Sequence, residues 1–481
     1  MLFNSLQFLI FFPLVVAAYF LLPYRFRWML LLGASYYFYM CWKPEYALLL
    51  MLSTVIDYYT GIQMGKAASR RQRKFYLGLS LSSNLGILLL FKYFNFLNAS
   101  ARAAFDHINV FYNVPMFELL LPVGISFYTF QTLSYSIDVY RGSIEPEKHL
   151  GMFALYVTFF PQLVAGPIER STNLLPQFYR QHNVDRHRII DGLKIMLWGF
   201  FKKIVIADRL AVYVNQAYNH PADASGINLL IATYFFALQI YCDFSGYSDI
   251  AIGAAKVMGF DLMENFRQPY LSKSIAEFWQ RWHISLSTWF KDYLYIPLGG
   301  NRVAKWRWCG NLFLVFLVSG LWHGANWTFV IWGALHGFYL VFAILTNNGR
   351  GKLLQALRLH RLKGLVQVSR IMLTFHLVLF AWIFFRANNL ADAFLIIEKI
   401  FHALIGALRL GALPSVSLIE TRDLLLLLGL AILMSFYERW RWSLGVLLKN
   451  RYAGIAFASL LFWVIWVWGA FNDQQFIYFQ F

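Results

Sequence analysis

Apolar residues in this chain gather into runs of about twenty positions, the length an α-helix needs to cross a bilayer. Such runs lie near 6–22, 28–42, 46–64, 75–97, 117–139, 192–214, 227–244, 311–322, 326–346, 371–387, 422–437 and 453–471. Several are short or interrupted by polar residues. The pattern therefore predicts an all-α polytopic membrane protein with about 10–12 transmembrane or re-entrant helices. No internal repeat, low-complexity tract or soluble insert separates the runs, so a single integral-membrane domain over 1–481 is expected.

The middle of the chain, roughly 145–325, departs from this rhythm. It holds half-length apolar runs broken by polar residues, such as "YVTFFPQLVAGPIERS" and "YCDFSGYSDIAIG". Non-helical backbone at membrane depth survives only where protein buries it or water reaches it, so this region is expected to line a cavity. Within it, Trp279, Trp282, Leu286, Trp289 and Tyr293 recur at spacings of three and four. That predicts one amphipathic helix over 275–293 with aromatics on one face. Gln280, His283, Ser287 and Lys291 form its polar stripe, Glu277 and Arg281 an i,i+4 pair, and "IPLGG" its end. Lying flat at the interface with a solvated face and entering the protein as a re-entrant piece both suit such a helix.

Composition agrees with a membrane protein. Apolar residues make up 59% of the chain and charged residues 14%, where soluble proteins run at roughly 45–50% and 25%. The net charge of +18 comes from short basic runs between apolar segments, a positive-inside pattern and not a nucleic-acid surface. Gly65–Lys74, Asn347–Arg370 and Tyr437–Arg451 are expected to face the cytoplasm. Arg25 and Arg27 follow the first apolar run instead of preceding it. This favours a retained first span with the N-terminus outside the cytoplasm over a cleaved signal peptide. The three cysteines are far apart and read as free thiols.

Histidine 323, in "SGLWHGANW", lies between two apolar segments. Ionisable groups at that depth are costly and usually functional. A neutral imidazole can take a proton, which is what a general base needs; the alternative is a packing histidine hydrogen-bonded to a neighbour. Gly320 and Gly324 would let backbone approach a substrate closely. Asn326 offers an amide to orient the ring or to donate to an oxyanion. His336 and His376 sit inside apolar runs and read as packing or supporting histidines, and the other histidines, His283 and His323 apart, read as solvated. No pair of histidines or carboxylates has a metal-ligand spacing, so no metal is expected. "YCDFSGYSDIAIG" contains Asp243, Ser245 and Asp249 but lacks a G-x-S-x-G elbow, which argues against a serine nucleophile.

Several ordered segments resemble the membrane-bound O-acyltransferase family: "FFPQLVAGPIER", "GLKIMLWGFFKKIVIADRLA", "QIYCDFSGYSDIAIG", "NFRQPYLSKSIAEFWQRWHISLSTWFKDYLYIPLGG", "GLWHGANWTFVIWGALHG", "FFRA" and "FIYFQF". Within it the chain is most similar to bacterial subunits that acetylate polysaccharides such as alginate, peptidoglycan and cellulose. The resemblance implies helices ringing a central tunnel across the bacterial inner membrane. It also implies a histidine pair, His323 as the catalytic residue and His283 beside it. It further implies an acyl thioester donor, acetyl-CoA, with no bound cofactor. The acceptor would be an extracytoplasmic hydroxyl on a polysaccharide or on a partner protein that relays the acetyl group. Under that reading Trp282 or Asn326 would steady the oxyanion and Trp322 would line the substrate site. Arg281, Lys202 and Lys203 would meet the donor's phosphates. Two alternatives stand beside it: D-alanyl transfer to teichoic acid, and a proton-coupled transporter with no chemistry.

Overall fold

Buried polar side chains knit the membrane helices together. In the computed structural model, which describes residues 1–117, 120–358, 361–410, 429, 432, 434, 451–471 and 476–477, no β-strand occurs among the described residues. Five helices are long and apolar enough to cross a membrane: Glu45–Lys66, Arg70–His107, Gly226–Met258, Trp327–Leu345 and Lys363–Arg386. Shorter apolar helices cover Leu6–Leu21 and Tyr452–Trp468. The all-α polytopic expectation therefore holds. The run near 422–437, most of the basic stretch after it and most of the C-terminal tail lie outside the described residues.

The chain expected as one domain divides into two compact units, each built from separated stretches: Met1–Met196 with Tyr247–Glu264, and Leu197–Gly246 with Asn265–Phe481.

In the first unit three helices share one carboxylate. Asp57 on Glu45–Lys66 is fully buried. It accepts from Ser80 Oγ at 2.5 Å and from Asn84 Nδ2 at 2.9 Å to each oxygen. Thr132, on Ile125–Arg141, donates to Asn84 Oδ1 at 3.2 Å. A carboxylate inside a membrane helix costs several kcal/mol unless it is paired, so this cluster fixes which faces of the helices meet. The run expected to be broken is broken, and protein buries it. Leu150–Thr158, Phe160–Leu163 and Ser171–Phe178 are separate short helices, and every residue from 152 to 169 is buried. Their free backbone groups find side chains: the Tyr156 carbonyl accepts from Gln131 Nε2 at 2.6 Å and Gln162 Nε2 at 2.9 Å, and Phe160 N–H donates to Ser35 Oγ. Protein, then, surrounds this irregular backbone.

"YCDFSGYSDIAIG" departs from expectation. It is not broken but continues the 33-residue helix Gly226–Met258. It contains no proline, and its glycines serve packing: a Cβ on Gly253 would sit 2.5 Å from the Gly192 carbonyl oxygen, and one on Gly246 2.8 Å from that of Gly199.

In the second unit Lys203 is 3% exposed. Its ammonium lies 2.7 Å from Asp208 and 2.7 Å from Asp243. Asp243 also accepts the backbone N–H of Ile477 at 2.7 Å, anchoring the C-terminal segment. Removing the cation while leaving two buried carboxylates is strongly destabilising, by about 3–5 kcal/mol. Lys203→Met should therefore lower the detergent unfolding temperature sharply. An unchanged melting curve would show that Lys203 bears no structural load.

Candidate active site

The stretch expected as one helix is two. Ile275–Arg281 ends at Trp282, His283 takes a left-handed conformation (φ 44, ψ 56), and Ile284–Phe290 begins beyond it. A left-handed non-glycine residue costs on the order of 1 kcal/mol, and Asn265 supplies what offsets it. The Asn265 carbonyl oxygen accepts Ile284 N–H at 3.0 Å. Its side-chain oxygen accepts from Ser285 N at 3.2 Å, Ser285 Oγ at 3.0 Å and His283 Nδ1 at 3.2 Å. Because Ser285 N–H can only donate, that side-chain atom is the oxygen. His283 therefore carries its proton on Nδ1 and keeps Nε2 as its basic nitrogen. The supposed polar stripe of Gln280, His283, Ser287 and Lys291 does not exist as a face, because the helix axis breaks between its members. His283 is fully buried, its ring edge-on to Phe244 at 4.6 Å.

His323 is the last residue of Lys305–His323. That helix pairs with Trp327–Leu345 through glycines: a Cβ on Gly320 would meet the Phe329 carbonyl oxygen, and one on Gly333 that of Phe316, each at 2.3 Å. This close approach seats His323 among aromatic rings, with Trp322 and Trp332 at 4.9 Å and Phe385 at 5.4 Å between centroids. The ring is 2% exposed. Trp322 also contacts His283 at 6.0 Å, so the two imidazoles expected to act together adjoin one indole.

The other expected site residues divide. Trp282 is fully buried beside Trp382 at 5.1 Å, within this aromatic cluster. Asn326 is the N-cap of the following helix. Its carbonyl accepts from Thr328 N at 3.1 Å and its NH₂ donates to the Asn388 carbonyl at 3.0 Å, so both ends of the amide are engaged in capping. Arg281 is half-exposed and paired with Glu277 at 2.6 Å. Lys202 is buried against Ser245 Oγ at 2.9 Å. With Lys203 neutralised as described, two of the three cations expected to meet phosphate are buried, and the third is ion-paired. His376 bonds Tyr234 OH at 2.8 Å and the Met372 carbonyl at 2.7 Å, a supporting role as expected.

Sequence reasoning missed Asn265 and Trp332. Asn265 lies 18 residues from His283 in an unremarkable loop. Trp332 looked like one more aromatic in an apolar helix. No group of three or more metal-ligating side chains occurs among the described residues.

The model of the family described as MBOAT, membrane-bound O-acyltransferase, matches residues 148–385, a stretch that contains both histidines. The chain is 43% identical over 404 residues to the probable alginate O-acetylase AlgI of Azotobacter vinelandii, covering 83% of this chain and 78% of that protein. It is 34% identical over 405 residues to the peptidoglycan O-acetyltransferase of Helicobacter pylori, covering 79% and 73%. Similarity to the teichoic acid D-alanyltransferase of Bacillus subtilis is 27% over 288 residues, covering 57% and 71%.

Asn265→Leu removes the side-chain oxygen that accepts from His283 Nδ1, Ser285 N and Ser285 Oγ, at about 1–3 kcal/mol for each buried group left unpaired. It should cut turnover and thermal stability together, whereas Arg281→Ala, which breaks a half-exposed pair, should move the unfolding temperature little. Equal effects of the two variants in a thermal unfolding assay would refute the clamp.

Proposed function

Because the chain belongs to the membrane-bound O-acyltransferase family, we propose that it carries an acetyl group from acetyl-CoA to a hydroxyl outside the cytoplasm, on a polysaccharide or on a partner protein that relays it. The protein is an O-acyltransferase and a multi-pass membrane protein; this family membership displaces the transporter alternative. The reading places it in the bacterial inner membrane with the donor on the basic, cytoplasmic face. The relatives named as O-acetylases match more of the chain, at higher identity, than the one named as a D-alanyltransferase, which favours acetyl over D-alanyl.

The observation that carries the reading is the pairing of two buried imidazoles around Trp322. In the proposed step the acceptor hydroxyl gives its proton to His323 while its oxygen bonds the acyl carbon. The carbonyl π pair moves onto oxygen. Collapse of this intermediate reforms C=O and breaks the C–S bond, and the departing thiolate takes the proton from the imidazolium. His283, with Nε2 basic, orients the hydroxyl or shares its proton. Since His323 is enclosed by rings, entry of either substrate requires Trp322, Trp332 or Phe385 to swing aside.

Base assistance contributes about 10²–10⁴ in rate. His323→Ala should therefore lose at least about a hundredfold in acetyl-CoA consumption with a hydroxyl acceptor present, while still eluting as a folded protein. Near-normal turnover would remove His323 from the chemistry. The mass of the group transferred to the cell envelope separates acetyl from D-alanyl.

A further inference from the structure

Three side chains on Trp327–Leu345 are fully buried and hold a polar atom with no partner among the described residues: Thr328 Oγ1, Trp332 Nε1 and His336 Nε2. They recur every fourth residue, so they stack along one face of the helix. Such groups are rare, because leaving one unsatisfied costs on the order of 1–3 kcal/mol each. Three in register leave hydrogen-bonding capacity along one helix face that no described residue meets.

The protonation of two of them follows from geometry. The indole nitrogen of Trp332 can only donate. The indole of Trp279 donates to His336 Nδ1 at 3.2 Å, so a neutral His336 carries its proton on Nε2 and is a donor there too. The Trp332 ring adjoins both imidazoles, His323 at 4.9 Å and His336 at 5.0 Å, edge to face in each case. One unanswered N–H donor thus belongs to the Trp332 ring beside the proposed base and the other to the His336 ring beside that indole, while the Asn326 amide is spent on capping.

We propose that Trp332 Nε1–H and His336 Nε2–H are the hydrogen-bond donors for the acyl carbonyl oxygen of the thioester, and that they hold the negative charge that develops there when the hydroxyl attacks. The inference rests on the acyl-transfer reading above and adds two catalytic residues to it. Charge forms on that oxygen as the C=O π pair moves onto it, and it leaves when C=O reforms and C–S breaks. Both donors keep their protons throughout, and the acceptor's proton passes through neither of them. Donors fixed in a water-poor site are most effective for such charge.

The test uses the full chain in bilayer discs and two unreactive probes: the ketone analogue of acetyl-CoA with methylene in place of sulfur, and S-ethyl-CoA, which lacks the carbonyl. Wild type should bind the ketone roughly tenfold tighter than the thioether, the difference one or two hydrogen bonds make. Trp332→Phe and His336→Phe should each erode that preference and leave thioether binding unchanged, which also reports that the variants are folded. His336→Gln, which restores an N–H, should recover it in part. With acetyl-CoA, Trp332→Phe should lower kcat by roughly 10²–10³ and change KM less. Equal binding of the two probes by wild type, or an undiminished preference in Trp332→Phe, overturns the inference while leaving acyl transfer intact. A wild type that neither binds the probes nor consumes acetyl-CoA overturns both.

Discussion

A polar group buried in a protein that is itself in lipid has no water to fall back on, and every partner must come from the chain. That constraint organises this molecule. Asp57 collects donors from a neighbouring helix in the first unit. Lys203 is held by two carboxylates in the second, one of which also anchors Ile477. Asn265 gathers the donors around a left-handed His283. Each cluster fixes one geometry among the many that apolar helices in lipid would tolerate.

Against this background the unsatisfied groups acquire meaning. Along Thr328, Trp332 and His336 the helix beside His323 leaves polar atoms unanswered, in a region where the close glycine contact of Gly320 and Gly333 fixes the packing. Other buried polar atoms also lack a partner among the described residues, but these three stack along one helix face, and the Trp332 ring among them adjoins the proposed base. In the proposed reaction the aromatic surround of His323 would serve the same chemistry, excluding water from the thioester and raising the value of each fixed dipole.

Much of this was legible in the sequence, and the parts that were not share a cause. Apolar runs placed the long helices because hydrophobic length is a local property. The break of "YVTFFPQLVAGPIERS" showed in the polar residues that interrupt its apolar run. His323 stood out because an imidazole between two apolar segments is expensive. The bend at His283 did not, because periodicity over 275–293 describes a helix that Asn265, outside that window, prevents. Lys202 and Lys203 read as cations for the donor's phosphates because Asp243 and Ser245, which engage them inside the protein, lie far along the chain. "YCDFSGYSDIAIG" looks broken because polar residues interrupt its apolar run, yet the helix continues through it and its glycines accommodate the backbones of Gly192 and Gly199. Local patterns revealed cost; only tertiary contacts revealed what meets it.

The most direct test of the central claim, that His323 and its ring of aromatics form the acyl-transfer centre, is a density map of the protein in a bilayer disc with the ketone analogue of acetyl-CoA bound. The account predicts the analogue's carbonyl carbon beside His323, leaving room for an attacking oxygen about 3–3.5 Å from that carbon, and its oxygen turned toward Trp332. An analogue seated elsewhere, with the rings around His323 still closed, would contradict it.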